Sequence, residues 1–185
     1  MKLTYWEVAV GAGLVWLLSR VRGAAADVLP DNAFVSAAKR VAERFGVTLE
    51  VAVIAMVING EAAKSGYSAT EIRNGKVAVG WVMRNRVRLG WAVNYLAAAT
   101  KKDQFEPVSN CIYRAQQAFC DSMENVAADT VGIAQAVYNG SVNDPTLGAT
   151  NFYSPKTQAA LGRPAPSWAS TMTLTVVIGG HRFYK

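Results

Sequence analysis

The sequence predicts a mainly helical domain, α+β in class, with a small β element near its C-terminus. Apolar residues recur at helical spacing between cap and stop signals from Phe34 to Tyr138. One segment, Val51 to Ile58, is apolar on every side, which at this length marks a helix buried all round rather than a membrane span. After Asn139-Gly140 the pattern changes, and Thr173 to Ile178 is the segment with clear strand character.

Each element has its local reason. Pro30-Asp31-Asn32 opens a helix in which Phe34, Ala37, Ala38, Val41, Ala42 and Phe45 share a face, and Gly46 stops it. Thr48 caps a second helix, Leu49 to about Asn59, with Glu50 in its first turn suiting the helix dipole. Its β-branched residues also suit a core strand, but the threonine cap and the alanines favour helix. A third helix is expected over about Lys76 to Arg88 and a short one over Trp91 to Ala99. Another pair is expected over about Cys111 to Met123 and Val126 to Tyr138. Asn143-Asp144-Pro145, Gly148 and Arg163-Pro164-Ala165-Pro166 mark loops, and Gly179-Gly180 closes the strand.

The 185 residues, 51% hydrophobic and 17% charged, suffice for one compact core with little low-complexity sequence. A net charge of +6 favours anionic partners but does not choose among nucleic acid, lipid and wall polymers. Nucleic acid is not expected, because the basic residues are scattered and Arg84, Arg86 and Arg88 alternate around a helix. With His181 the sole histidine and two cysteines, the chain cannot assemble a four-ligand zinc site. There is no Gly-x-Ser-x-Gly elbow and no phosphate-binding loop. No metal or cofactor is expected. Cys111 and Cys120 would lie about 13 Å apart along an unbroken helix, too far for a disulfide. Either both are free buried thiols or the helix breaks between them; the spacing favours free thiols.

Residues 1–26 form a separate N-terminal segment, with the main domain over 27–185. The uncharged run from Val8 to Leu18 reaches about 16 Å as helix, half a bilayer core. Its length suits a signal peptide ending at Ala24-Ala25-Ala26, but Arg20 and Arg22 stand where a neutral region belongs. An uncleaved apolar anchor is the first reading, and a helix packed on the domain or on a partner protein is the other.

The buried second helix ends in Asn59-Gly60-Glu61-Ala62. A carboxyl placed where such a helix emerges is partly desolvated and sits at the negative end of the dipole, and both raise its pKa. A glutamate protonated near neutral pH is what general-acid cleavage of a glycosidic bond requires. Gly60 would let the chain turn and a substrate approach. On pattern alone, a solvated glutamate just past a helix end remains the other reading. The nearest further acids are Glu71, Asp103 and Glu106, none in a comparable setting.

Five segments in order resemble the spore cortex-lytic enzyme (SleB/CwlJ-type) cell-wall hydrolase family. They are Ile58-Asn59-Gly60-Glu61-Ala62, the helix from Gly75 to Val87, Gln104-Phe105-Glu106-Pro107-Val108, Asp144 to Pro155, and Ile178 to Tyr184. The resemblance implies a lysozyme-like helical domain that acts on peptidoglycan between N-acetylmuramic acid and N-acetylglucosamine. It implies a lytic transglycosylase in which Glu61 is the single catalytic acid and the product carries a 1,6-anhydro end. The family commonly runs Glu-Ala-Arg-Gly-Glu, whereas Glu61 and Glu71 here are separated by about six extra residues. Glu71, if it matches the second glutamate, would serve a hydrolytic alternative. Tyr67, on the insertion, would stack on a sugar.

Asn85 either bonds within the core or faces the cleft. Gln104 and Tyr153 would hold N-acetyl or hydroxyl groups. Phe105, Phe152 and Trp168 suit core or cleft wall, with Phe105 also a candidate contact, and His181 suits a structural role as well as a binding one. The expected setting is the bacterial cell envelope or a phage virion, with residues 1–26 touching membrane or a virion protein. A non-catalytic wall-binding or structural protein is the competing class, and Glu61 in its apolar setting argues against it.

Overall fold

The computed structural model describes residues 32–62 and 65–185. The N-terminal apolar run, its anchor and packing-helix readings, and the boundary at residues 26 and 27 lie outside the described residues.

The first helix, α1 (Ala33–Phe45), starts where Asn32 accepts a hydrogen bond from the Val35 N–H and stops at Gly46, whose φ is 64°. Its successor α2 (Leu49–Glu61) is capped by Thr48, which accepts from the Val51 N–H. The eight side chains from Val51 to Ile58 are each 0% exposed, so α2 is the axis on which the other helices pack. Burial of each Val, Ile or Met there is worth about 1.5–3 kcal/mol. The helix runs two residues beyond its expected end and carries Glu61 as its last residue. Gly60 therefore does not turn the chain: a Cβ there would stand 3.0 Å from Met123 Cγ and 3.1 Å from Pro107 Cβ. The glycine lets two neighbouring elements close on the helix end.

Around α2 lie α3 (Ala69–Arg88), α4 (Tyr95–Thr100), α5 (Glu106–Tyr113), α6 (Gln117–Glu124) and α7 (Ala128–Asn139). The third helix begins at Ala69, ahead of the expected Lys76, because Ser68 and Glu71 form a capping box. At Gly80 it crosses so closely that a Cβ would meet Ile58 Cδ1 at 3.1 Å and Val137 Cγ2 at 3.2 Å. The short α4 starts later than expected, at the Asn94 cap, whose side chain accepts from the Ala97 N–H. The helix expected over Cys111 to Met123 is two helices. The chain breaks at Arg114 to Gln116, with Ala115 at a φ of 49°, and the two cysteine Cα atoms come within 5.2 Å in a Cys111–Cys120 disulfide. The expectation of free thiols fails because the 13 Å separation held only for an unbroken helix.

The C-terminal sheet has three antiparallel strands in the order β1 (Asn151–Tyr153), β3 (His181–Tyr184), β2 (Leu174–Ile178). Phe152 pairs with Phe183 and Ile178 with His181. Only β2 was expected; β1 and β3 are too short to show alternation. A small second core of Ala78, Val82, Ala149 and Phe183 attaches the sheet to α3. Between β1 and β2 come α8 (Pro155–Ala160) and a 3₁₀ turn, Ser167–Ser170.

The β2–β3 turn rests on α3. Gly179 has a φ of +55°, and a Cβ there would fall 2.8 Å from Gly75 Cα and 2.9 Å from the Glu71 carbonyl oxygen. Gly179→Ala should therefore destabilise the domain by about 2 kcal/mol, lowering Tm by about 4–8 °C. Thermal denaturation by circular dichroism checks this, and an unchanged Tm would refute the packing argument.

Candidate active site

Glu61 ends α2 half-buried and lines a groove of about 620 Å³ together with Arg86, Gln104, Glu106, Tyr153, Trp168 and His181. Beyond it the groove continues as a second hollow of about 450 Å³, which again contains Glu61 and His181 and adds Tyr67, Ser65 and Lys156. The carboxyl thus stands between two stretches of one depression. One wall is the start of α5; the other is β1, α8 and the 3₁₀ turn. An ion pair, Arg163 Nη1 to Glu106 Oε1 at 3.0 Å, joins the walls.

Burial pushes the Glu61 carboxyl from its ordinary 4.5 up to about 7, and the charge of Glu106 adds to the push; a backbone hydrogen bond from Glu106 and the Arg86 charge oppose it. The balance keeps the group substantially protonated near neutral pH, as general-acid work demands.

His181 is buried at 5% exposure. Its Nδ1 lies 3.1 Å from the Gly179 carbonyl oxygen. The ring also hydrogen-bonds the Glu61 backbone, while burial pushes its pKa down. The imidazole ties the strand to the end of α2.

The other candidates separate clearly. Gln104 and Tyr153 line the groove beside Glu61, and Tyr67 lines the adjoining hollow. Glu71 is not among the lining residues. Its Oε2 accepts from the Ser68 N–H at 2.9 Å and the Ser68 hydroxyl at 2.7 Å, and these bonds hold its carboxyl below the usual range. Asn85, 4% exposed, donates to Asp144 Oδ2 at 2.9 Å and to the Ala149 carbonyl at 3.0 Å. It shapes the loop leading into β1 from within the core. Phe105, 1% exposed, lies out of a substrate's reach and instead underlies the Arg86 guanidinium, 4.7 Å from ring centroid to Cζ.

Sequence reasoning missed Arg86 and undervalued Glu106. Arg84, Arg86 and Arg88 alternate around the helix, and nothing local distinguishes Arg86 from the other two. In the sequence Glu106 is an acid without a setting comparable to that of Glu61; only the fold brings it to the groove. Another hollow of about 470 Å³, between α3 and α7, has Asp129 as its carboxyl. That acid is paired with Lys76 at 2.9 Å and held below the usual range, so no proton donor faces that space.

A helical domain that delivers a protonated carboxyl from a buried helix into an elongated open groove has the layout of a glycan-cleaving enzyme. The chain belongs to the cell wall hydrolase family, whose model matches residues 70–184, well over half its length. Membership makes it a peptidoglycan-cleaving enzyme. Glu61 precedes the matched region, so its assignment stands on geometry. The fold is similar to the catalytic domain of the germination-specific lytic transglycosylase SleB from Bacillus anthracis, at 22% identity and a TM-score of 0.54, covering 74% of this chain and 93% of that one. It is also similar to the catalytic domain of the Bacillus cereus SleB protein, at 20% identity and a TM-score of 0.53, covering 74% and 89%. No curated protein matches the sequence significantly.

Proposed function

We propose that the groove binds a peptidoglycan strand and cuts it between N-acetylmuramic acid and N-acetylglucosamine as a lytic transglycosylase. The observation that carries this is Glu61, a carboxyl that burial keeps substantially protonated near neutral pH where it lines an elongated groove. Glu61 gives its proton to the glycosidic oxygen as the bond to the anomeric carbon breaks. The resulting carboxylate takes the proton of the muramic acid 6-hydroxyl. That oxygen closes on the anomeric carbon, giving a 1,6-anhydro end and regenerating the acid without consuming water.

A hydrolytic course would need a second carboxylate to activate water. Glu71, committed to its capping box, is poorly placed for that. Glu106 lines the groove and acts electrostatically on Glu61, which favours it as the alternative base. Mass spectrometry of fragments released from purified peptidoglycan separates the courses. Anhydro-muropeptides are expected; reducing-end muropeptides that vanish in Glu106→Gln would replace the transglycosylase reading. No release from several wall types would move the protein to a binding or structural role.

The proposed setting is the cell envelope or a phage virion, with residues 1–26 contacting membrane or a virion protein. The disulfide supports an oxidising compartment, in keeping with action outside the cytoplasm.

A further inference from the structure

Arg86 lies in α3 at 5% exposure, an unusual depth for a permanent cation. Its Nε donates to the Thr150 carbonyl at 2.7 Å and its guanidinium faces the Phe105 ring. Its Nη1 is buried with no hydrogen-bond partner. Among the described residues no carboxylate pairs with it at salt-bridge distance. A purely structural arginine at that depth would be expected to satisfy its donors. Instead Arg86 opens on the groove beside Glu61, and the two charges act on each other.

We propose that Arg86 is the positioning residue for the second half of the reaction: its unpaired Nη1–H becomes the hydrogen-bond donor to the Glu61 carboxylate once that group has given up its proton. The inference rests on Glu61 serving first as acid and then as base. Before the first transfer, Glu61 is neutral and the Nη1 group of Arg86 waits without a hydrogen-bond partner. When the proton moves to the leaving oxygen, a buried carboxylate forms beside the guanidinium, and the charge-assisted bond holds it in place. When Glu61 takes the proton of the sugar hydroxyl, the bond weakens and the site returns to its resting state. Arg86 keeps its own protons throughout.

The other groups facing Glu61 act differently. Glu106, at the start of α5, opposes the carboxylate with its charge and supports it with its backbone N–H, and Arg163 offsets part of that charge. Asp103 lines the same groove. His181, from β3, bonds the backbone of Glu61. Among the described residues, Arg86 is thus the buried cation whose charge acts on the acid.

The test measures the pH dependence of peptidoglycan clearing by wild type, Arg86→Gln, Arg86→Lys and Glu106→Gln, with a thermal melt of each. Arg86→Gln should clear at least about tenfold more slowly at its optimum, and its alkaline limb should move up by about one pH unit, because the carboxylate loses its supporting charge. Arg86→Lys should recover part of the rate and place the limb between those two. Glu106→Gln should move the limb the opposite way. A folded Arg86→Gln with the wild-type limb overturns the proposal. Should that variant not melt cooperatively, Arg86→Lys decides, and a wild-type limb and rate there overturn it equally. Wild type that clears no wall refutes the catalytic reading itself, a distinct outcome.

Discussion

Glu61→Gln is expected to reduce peptidoglycan cleavage by about 10²–10⁴-fold while leaving the fold intact. The amide matches the carboxyl in size and still accepts the Glu106 N–H, but it has no acidic proton to give. Because the side chain emerges from α2 into the groove, no buried apolar contact is lost. The Tm should hold or rise, since a group whose burial disfavours its charged form has been replaced by a neutral one. The pH profile of wild type supplies a companion signature. Glu61 must be protonated to start the reaction, so activity should decline as pH rises through about 7. The same shift bears on stability. Between 4.5 and about 7 the native carboxyl holds a proton that the unfolded chain has released, so this contribution to stability is full below 4.5 and is lost as pH climbs to 7. Clearing assays and melts across pH check both. A variant with near-wild-type activity would remove Glu61 from the chemistry.

The second large effect concerns the Cys111–Cys120 disulfide. Replacing both cysteines by serine should lower stability by about 2–3 kcal/mol, or about 5–10 °C in Tm, for a loop of this length. Both positions are almost fully buried, Cys111 at 2% and Cys120 at 0% exposure, so serine also places hydroxyls in the core. The consequence reaches the groove, because α5 and α6 supply Glu106, Pro107, Asn110 and Phe119 to its wall. Activity of the double variant should therefore fail at a lower temperature than that of wild type. Melts of wild type with and without reductant give the comparison, and equal Tm values would mean that the bond does not clamp this region.

Much of this architecture was legible residue by residue. Asn32, Gly46 and Thr48 announced the bounds of α1 and the start of α2, because caps are local chemistry. The apolar run from Val51 to Ile58 identified the central helix, and its end identified Glu61. Ser68-Ala69-Thr70-Glu71 is itself a capping-box pattern; read as a catalytic candidate instead, it hid both the start of α3 and the role of Glu71. The break at Ala115 carried no glycine or proline to mark it, so the helix looked continuous and the disulfide impossible. Strand β1 is stabilised by pairing with β3 across all of α8 and the 3₁₀ turn, information that no local pattern holds, whereas β3 pairs with β2 through the Gly179-Gly180 turn. Arg86 and Glu106 belong to the same class, since their meaning depends on which element folds against Glu61.

The proton donor is mounted on the most deeply packed element of the domain, while the surfaces that would touch a glycan come from short helices, turns and strand ends. Heat should therefore not silence the enzyme by loosening α2 locally: inactivation should coincide with global unfolding. The same division separates two kinds of evolutionary freedom. On the proposed function, changes at Tyr67, Gln104 and Trp168, which line the two hollows, are expected to retune which wall is accepted. The helix that carries the catalyst is held by eight consecutive buried side chains, none of which lines the groove.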